Sequence, residues 1–154
     1  MASKVKRANT VKRTDDTMGR FSVDIELANN SDLELARAGH LVRESVRRVR
    51  IRGVVDTGAT RLVLPEVVAK QLGLPNTGKI NARYADGRKA VRDLVDGVHL
   101  KLLGRSSVFK AAVEPKRESA LIGAIVLEDL DFLVDPVKQR LFPRDPKMIV
   151  SELE

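Results

Sequence analysis

Residues 20–27, RFSVDIEL, alternate without interruption between apolar and polar side chains, and this feature restricts the fold more than any other. Successive side chains of a β-strand point to opposite faces, so a period of two predicts a half-buried strand. The same period returns between Val46 and Val55, where arginines alternate with aliphatic residues until the polar face ends at Val54. A second strand is therefore expected to run into the core at that point.

Two neighbouring segments lead to different predictions. Residues 65–72 predict a short helix, because Pro65 suits the first turn, Glu66 favours the positive end and Gly73 stops the helix. Residues 28–45 are polar and contain Asn-Asn-Ser-Asp, which indicates a loop or a ragged hairpin.

Two turns divide the middle of the chain into strands. Asp86-Gly87 lies between two extended runs and predicts a projecting hairpin in which both turn positions have positive φ. Gly104-Arg105 offers a second turn, between strands expected over 98–102 and 108–113. The middle of the protein is therefore expected to be β-structure.

The longest apolar run, Ala120–Leu127, has eight residues and belongs in the core. Gly123 is expected to divide it into a short strand and a short helix that ends near Leu130. Residues 132–134 and 140–142 then form a closing strand pair. The whole pattern predicts a mainly β architecture around one core, with two short helices.

Charge and composition exclude several classes of protein. The net charge is +7, but residues 1–14 hold five of the 28 basic residues and no acid, so the remaining 140 residues carry only +2. A chain without cysteine has no disulfide, zinc-thiolate site or thiol nucleophile. Eight apolar residues are far short of the roughly 20 that cross a bilayer, and no secretory signal follows the basic start. We expect a cytoplasmic protein with a basic, disordered tail over residues 1–18.

The segment Asp56-Thr57-Gly58-Ala59 follows the buried end of the second strand. A carboxylate at such an end is held rigidly, a threonine hydroxyl can fix the turn, and glycine and alanine leave room for another surface. The alternative is an ordinary turn, because Asp, Thr and Gly are all common turn residues.

The surrounding motifs resemble the retropepsin-like (retroviral-type) aspartic proteases, in particular their small single-domain prokaryotic members. The resemblance covers about residues 19–143 and includes an apolar-apolar-Gly triplet whose glycine, Gly123, follows Asp56 by 67 residues. The segments that carry it are Val54–Thr60, Leu62–Pro65, Leu72–Leu74, Tyr84–Arg88, Leu121–Ala124, Leu127–Leu130 and Asp135–Leu141.

This resemblance implies a closed retropepsin-like β-barrel with a flap hairpin and one or two short helices. It implies an aspartic endopeptidase without metal or cofactor, in which a homodimer pairs two Asp56 carboxylates around a water. Thr57 would bond across the two-fold axis and Gly58 would let the carboxylates approach. Ile122-Gly123 would pack behind the catalytic loop. Substrate contacts are expected from Ala59, Tyr84, Ala85, Asp86, Gly87 and Ile122.

Other interpretations stay open. The same fold could serve as a non-catalytic dimeric binding or scaffolding module, and the basic tail with the arginines of 43–52 could bind nucleic acid weakly. His40 and His99 are expected at the surface rather than on a metal. The acids Asp93, Asp96, Glu128, Asp129, Asp131 and Asp135 are expected to be solvated or capping residues. Residues 144–154 form a C-terminal extension in which Met148–Val150 either adds an interface strand or packs on its own subunit.

Overall fold

A computed structural model describes residues 20–154, so the predicted tail over residues 1–18 lies outside the described residues. The strands of this part are β1 (Arg20–Asn29), β2 (Arg48–Asp56), β3 (Leu62–Pro65), β4 (Asn76–Arg83), β5 (Lys89–Leu102), β6 (Arg105–Glu114), β7 (Ala120–Ile122), β8 (Phe132–Asp135) and β9 (Arg140–Pro143). The helices are α1 (Asn30–Arg37), α2 (Glu66–Leu72) and α3 (Ala124–Leu130), with a 3-10 turn at Arg43–Ser45.

Six strands close into a barrel. They pair in the order β1-β2-β7-β3-β6-β5, and β5 pairs again with β1, which completes the ring. The pairs β2–β7 and β3–β6 are parallel, and the other pairs are antiparallel. The aliphatic residues of the alternating strands meet inside, where Ile25, Leu27 and Val55 are fully or almost fully buried. The prediction of a mainly β, closed barrel is confirmed.

Strand β4 lies outside this ring and pairs only with the first half of β5, which makes the predicted projecting hairpin. Its turn differs from the prediction: Gly87 has a φ of 89°, but Asp86 is not left-handed. The Tyr84 amide donates to the Arg88 carbonyl at 2.9 Å, so the loop is longer than two residues. The turn with two positive φ values is Leu103-Gly104, at 48° and 85°, between the paired Leu102 and Arg105.

Helix α1 corrects the expectation of a loop over residues 28–45. The Asn29 side chain accepts a hydrogen bond from the Asp32 amide at 3.0 Å and so caps the helix. The same side chain donates from Nδ2 to the Leu72 carbonyl at 2.8 Å, and it is only 3% exposed. The polar cluster is therefore a helix start anchored to α2, and the expected one or two short helices become three.

The other predicted elements occur close to their expected bounds. Helix α2 ends at Gly73, whose φ is 65°. Gly123 separates β7 from α3, and β8 pairs with β9 in register. None of the helices among residues 20–154 is long and apolar enough to cross a membrane; the cytoplasmic location stays a prediction.

Of the two expectations for Asp131, solvated or capping, the structure bears out the second: Asp131 is the left-handed C-cap of α3, and only 2% of its surface is exposed. Its Oδ2 accepts from the Val150 amide at 2.9 Å and its Oδ1 pairs with Arg144 at 2.8 Å. These contacts lower the pKa of Asp131, the Val150 amide most strongly, while burial raises it. The C-terminal extension thus contacts Asp131 through Arg144 and the Val150 amide, and no strand follows β9 in the described residues. Whether Met148–Val150 contributes to an interface stays a prediction.

Candidate active site

Asp56 is the last residue of β2, a strand held between β1 on one side and β7 on the other. Its side chain is 15% exposed, and its Oδ1 accepts a hydrogen bond from the Gly58 amide at 2.9 Å. The Ala59 amide donates to the Asp56 carbonyl at 3.1 Å and closes the turn. The position of the carboxylate is therefore fixed by backbone groups of the turn that follows it.

The segment after Asp56 is tied to the start of α3. The Ala124 amide donates to the Ala59 carbonyl at 2.8 Å, and the Ile125 amide donates to the Thr60 carbonyl at 2.9 Å. Gly123 permits this approach, because a Cβ there would lie 2.7 Å from both the amide nitrogen and the carbonyl oxygen of Arg61. The glycine expected behind the catalytic loop is thus in direct contact with it.

A cavity of about 1130 Å³ lies between this loop and the β4–β5 hairpin. Asp56, Gly58 and Ala59 line it from the barrel side, and Tyr84 and Ala85 line it from the hairpin side. The carboxylate and the expected flap therefore face the same space.

Four other predicted site residues lie elsewhere. Asp86 and Gly87 are exposed at the hairpin tip, outside the cavity lining, and Asp86 pairs with Arg88 at 2.9 Å. Thr57 is exposed beside the cavity without lining it. Ile122 is completely buried, so it packs behind the loop but does not contact a substrate in this conformation. Strand alternation turns its neighbour Leu121 into the cavity instead.

A hydrogen-bonded group joins the hairpin to the barrel wall. The Tyr84 hydroxyl donates to Glu114 Oε2 at 2.5 Å, and Arg92 Nε donates to Glu114 Oε1 at 2.8 Å and to the Tyr84 hydroxyl oxygen at 3.1 Å. Burial and the adjacent carboxylate raise the pKa of Tyr84, which keeps its proton on the hydroxyl. Glu114 and Arg92 were not predicted from the sequence, because they come from β6 and β5 and meet only in the folded sheet.

Two arginines near Asp56 were also missed. Arg20 NH2 lies 3.1 Å from Asp56 Oδ2, and the two residues are opposite each other in the β1–β2 register. The antiparallel register of the two alternating strands was the signal that could have paired them. Arg117 is half-buried in the β6–β7 connection and lines the cavity. Burial lowers the pKa of Arg117, and Asp56 and Glu114 are near enough to oppose that shift.

Neither histidine belongs to a cluster of possible metal ligands in residues 20–154. His40 is exposed and His99 is partly buried on β5, where burial lowers its pKa. Within residues 20–154 no group of three His, Asp or Glu side chains has the geometry of a metal site.

Comparison with known proteins identifies a family and a fold. A family model described as aspartyl protease matches residues 42–127, more than half of the chain. The solved structure of EIAV protease complexed with the inhibitor HBY-793 superposes with a TM-score of 0.51 at 17% sequence identity. The alignment covers 72% of this chain and 88% of that chain, so the likeness is one of fold. No curated protein in the comparison matches the sequence.

Proposed function

The chain belongs to the aspartyl protease family with a retropepsin-like fold, and we propose that it is an endopeptidase whose active site is shared by two copies of the chain. The observation that carries the proposal is the Asp56 carboxylate, fixed at a strand end and facing a cavity roofed by the β4–β5 hairpin. In this proposal residues 19–143 are the protease domain, and the hairpin is the flap that covers a peptide.

The chemistry needs two carboxylates with different protonation. Two close carboxylates repel each other's charge and therefore share one proton. The ionised one takes a proton from water as the water oxygen bonds to the peptide carbon, and the protonated one transfers its proton to the carbonyl oxygen. The resulting diol collapses as the C–N bond breaks: the nitrogen gains a proton from one carboxyl, and a diol hydroxyl returns a proton to the other.

A second copy is the natural source of the second carboxylate. The sequence contains one Asp-Thr-Gly, and a two-fold axis through a single loop supplies an identical carboxylate opposite the first. Thr57 and Gly58 are exposed beside Asp56, as residues at such an axis need to be. Within residues 20–154 the Thr57 hydroxyl has no hydrogen-bond partner, which leaves it available to another copy.

The test is digestion of a peptide library by the wild type and by Asp56→Asn. The substitution keeps the size of the side chain and removes the titrating group, so cleavage should be lost while fold and assembly persist. Asp24→Asn is the matched control, because Asp24 is an exposed acid on β1 outside the cavity. Cleavage by Asp56→Asn at the wild-type rate would exclude Asp56 as the catalytic acid.

Dilution tests the shared site separately. Specific activity should fall as the protein is diluted below its dimer dissociation constant. Sedimentation over the same concentrations should show the dimer dissociating into monomers. Full activity in a species that sediments as a monomer at every concentration would contradict the two-copy site.

A second candidate function is a dimeric module that binds peptides without cleaving them. The ion pair between Arg20 and Asp56 favours it, since the carboxylate then has a cationic partner within its own chain. Saturable peptide binding that Asp56→Asn leaves intact, together with no cleavage by the wild type, would support this alternative.

A further inference from the structure

The cavity is lined by more positive than negative side chains. Its acids are Asp56 and Glu114, and its cations are the four arginines Arg20, Arg61, Arg83 and Arg117. The excess is local, because residues 15–154 together carry a net charge of only +2.

Both acids of the cavity already have cationic partners. Asp56 pairs with Arg20 at 3.1 Å, and Glu114 pairs at 2.8 Å with Arg92, which lies outside the lining. Arg61, Arg83 and Arg117 form no ion pair with any residue of the described chain. The space beside the carboxylate is therefore bordered by positive charge that the acids of residues 20–154 do not balance with ion pairs.

Arg117 is the most constrained of these three cations. Its Nε donates to the Ser119 carbonyl at 2.7 Å, which fixes the guanidinium in the half-buried β6–β7 connection. Two arginines on the outer face of β1–β2 are instead matched by acids: Arg50 pairs with Glu26 and Arg52 with Asp24. A partly desolvated cation that forms no ion pair is unfavourable, and an anion placed directly beside it restores the lost interaction.

We propose that the cavity selects peptides with Asp or Glu next to the scissile bond, and that Arg117 is a specificity-determining residue that binds this carboxylate. The inference rests on the proposed protease function and adds its substrate class. A guanidinium binds a carboxylate with two charge-assisted hydrogen bonds, so an acidic side chain gains more there than its amide analogue. Arg61 and Arg83 raise the positive potential in the cavity without contacting the substrate carboxylate directly.

The test uses three fluorogenic peptides that are identical except for Glu, Gln or Lys at one position beside a cleaved bond found in the library. The wild type should cleave the Glu peptide with a kcat/KM about tenfold or more above that of the Gln peptide, because charged hydrogen bonds are among the stronger ones. The Lys peptide should be cleaved more slowly than either. The preference should weaken as salt is raised from 0.05 to 0.5 M, because added ions screen the attraction.

Variants of Arg117 should change the preference rather than merely the rate. Arg117→Gln should bring the Glu-to-Gln ratio close to one, Arg117→Lys should retain part of it, and Arg117→Glu should favour the Lys peptide. Arg140→Gln is the matched control, since Arg140 is exposed on β9 away from the cavity and should keep the wild-type ratio. Circular dichroism and sedimentation of each variant check that the comparison is made on folded protein.

The outcomes separate the two proposals. Equal cleavage of the Glu and Gln peptides by the wild type would overturn the acidic preference and leave the protease function standing. Absence of cleavage across the whole library would overturn the protease function itself. A single-stranded oligonucleotide that blocks cleavage of all three peptides equally, without any Glu preference, would assign the positive charge to nucleic acid and refute the proposal.

Discussion

Gly123→Ala is expected to destabilise the protein and to displace the loop that follows Asp56. The new Cβ would lie 2.7 Å from the Arg61 nitrogen, 2.7 Å from the Arg61 oxygen and 2.8 Å from the Ala59 oxygen. All three are backbone atoms, so no side chain can rotate to make room. Relief requires the 59–61 segment and the start of α3 to move apart.

The size of the effect follows from these contacts. Overpacking of this kind costs about 1–3 kcal/mol. Moving the 59–61 segment away from α3 also weakens two hydrogen bonds, from the Ala124 amide to the Ala59 carbonyl and from the Ile125 amide to the Thr60 carbonyl. Each such bond contributes about 0.5–1.5 kcal/mol to stability. Alanine returns about 0.4–1 kcal/mol by restricting the unfolded chain, since Gly123 has an ordinary φ of −92°. The net loss of unfolding free energy is about 1–6 kcal/mol, a large share of the 5–15 kcal/mol typical of domains.

Gly53→Ala is the matched control, because it also adds one methyl group beside the same strand pair. Its Cβ would lie 2.7 Å from Ile122 Cδ1, the flexible end of a side chain. Replacing Ile122 with valine removes that atom. The double variant Gly53→Ala/Ile122→Val should therefore lose less unfolding free energy than the two single variants lose together. No such rescue is expected for Gly123→Ala combined with Ile122→Val.

Urea unfolding at one protein concentration measures these differences, and peptide cleavage reports the position of the loop. Gly123→Ala should lose both stability and cleavage, whereas Gly53→Ala should lose mainly stability. The reasoning fails if Gly123→Ala unfolds at the wild-type urea midpoint and cleaves peptide at the wild-type rate.

Three further variants test other contacts. Asp131→Asn should be less stable than the wild type at pH 7, and the difference should shrink in thermal melts as the pH falls below 3.8. The Val150 amide lowers the pKa of Asp131, so the stabilisation is present above the ordinary value of 3.8 and is lost as the pH falls through the lowered pKa. Tyr84→Phe should cost about 0.5–1.5 kcal/mol of hairpin anchoring and speed amide hydrogen exchange in β4. Asn29→Ala should lower the urea-unfolding free energy by about 2–4 kcal/mol, because it removes the α1 cap and leaves the Leu72 carbonyl unpaired.

The barrel was largely predictable from the sequence because its strands keep a period of two. Burial of Ile25 and Leu27 beside exposed Asp24 and Glu26 follows directly from the alternation. Gly123 also acts as expected, since no other residue fits between the Arg61 backbone and its own strand. These features depend on neighbours in sequence or on a single steric requirement, and both can be read locally.

The elements that were missed depend on long-range partners. Helix α1 has only eight residues, too few to be stable alone, and its cap side chain also binds Leu72, 43 residues away. Asp131 is buried because the chain beyond β9 returns to cover it. The period of the sequence contains no information about either contact, so residues 28–45 were predicted to be a loop or ragged hairpin and the burial of Asp131 was not predicted.

The two hairpin turns show why a dipeptide alone is not decisive. Asp86-Gly87 has the preferred composition for a two-residue turn, yet β4 and β5 pair only up to Arg83 and Lys89, which leaves five residues to connect them. At the other hairpin the pairing of Leu102 with Arg105 leaves only two, so Leu103 adopts the left-handed conformation despite its Cβ. Register, fixed by the buried faces of the sheet, determines turn length, and turn length then overrides local preference.

The position of Asp56 results from three constraints that the chain encodes far apart. Strand β1 supplies its antiparallel neighbour and places Arg20 opposite it, and β7 supplies its parallel neighbour. Helix α3 begins against the loop that follows it, through Ala124. Because the Asp56 backbone lies in a paired strand and the Gly58 amide holds Oδ1, a partner or substrate can change the ionic environment of the carboxylate more easily than its position. In the proposed dimer, the Asp56 carboxylate would therefore keep its position and exchange the Arg20 guanidinium for the carboxylate of the second copy. Formation of the dimer would thereby create the pair of carboxylates that catalysis needs.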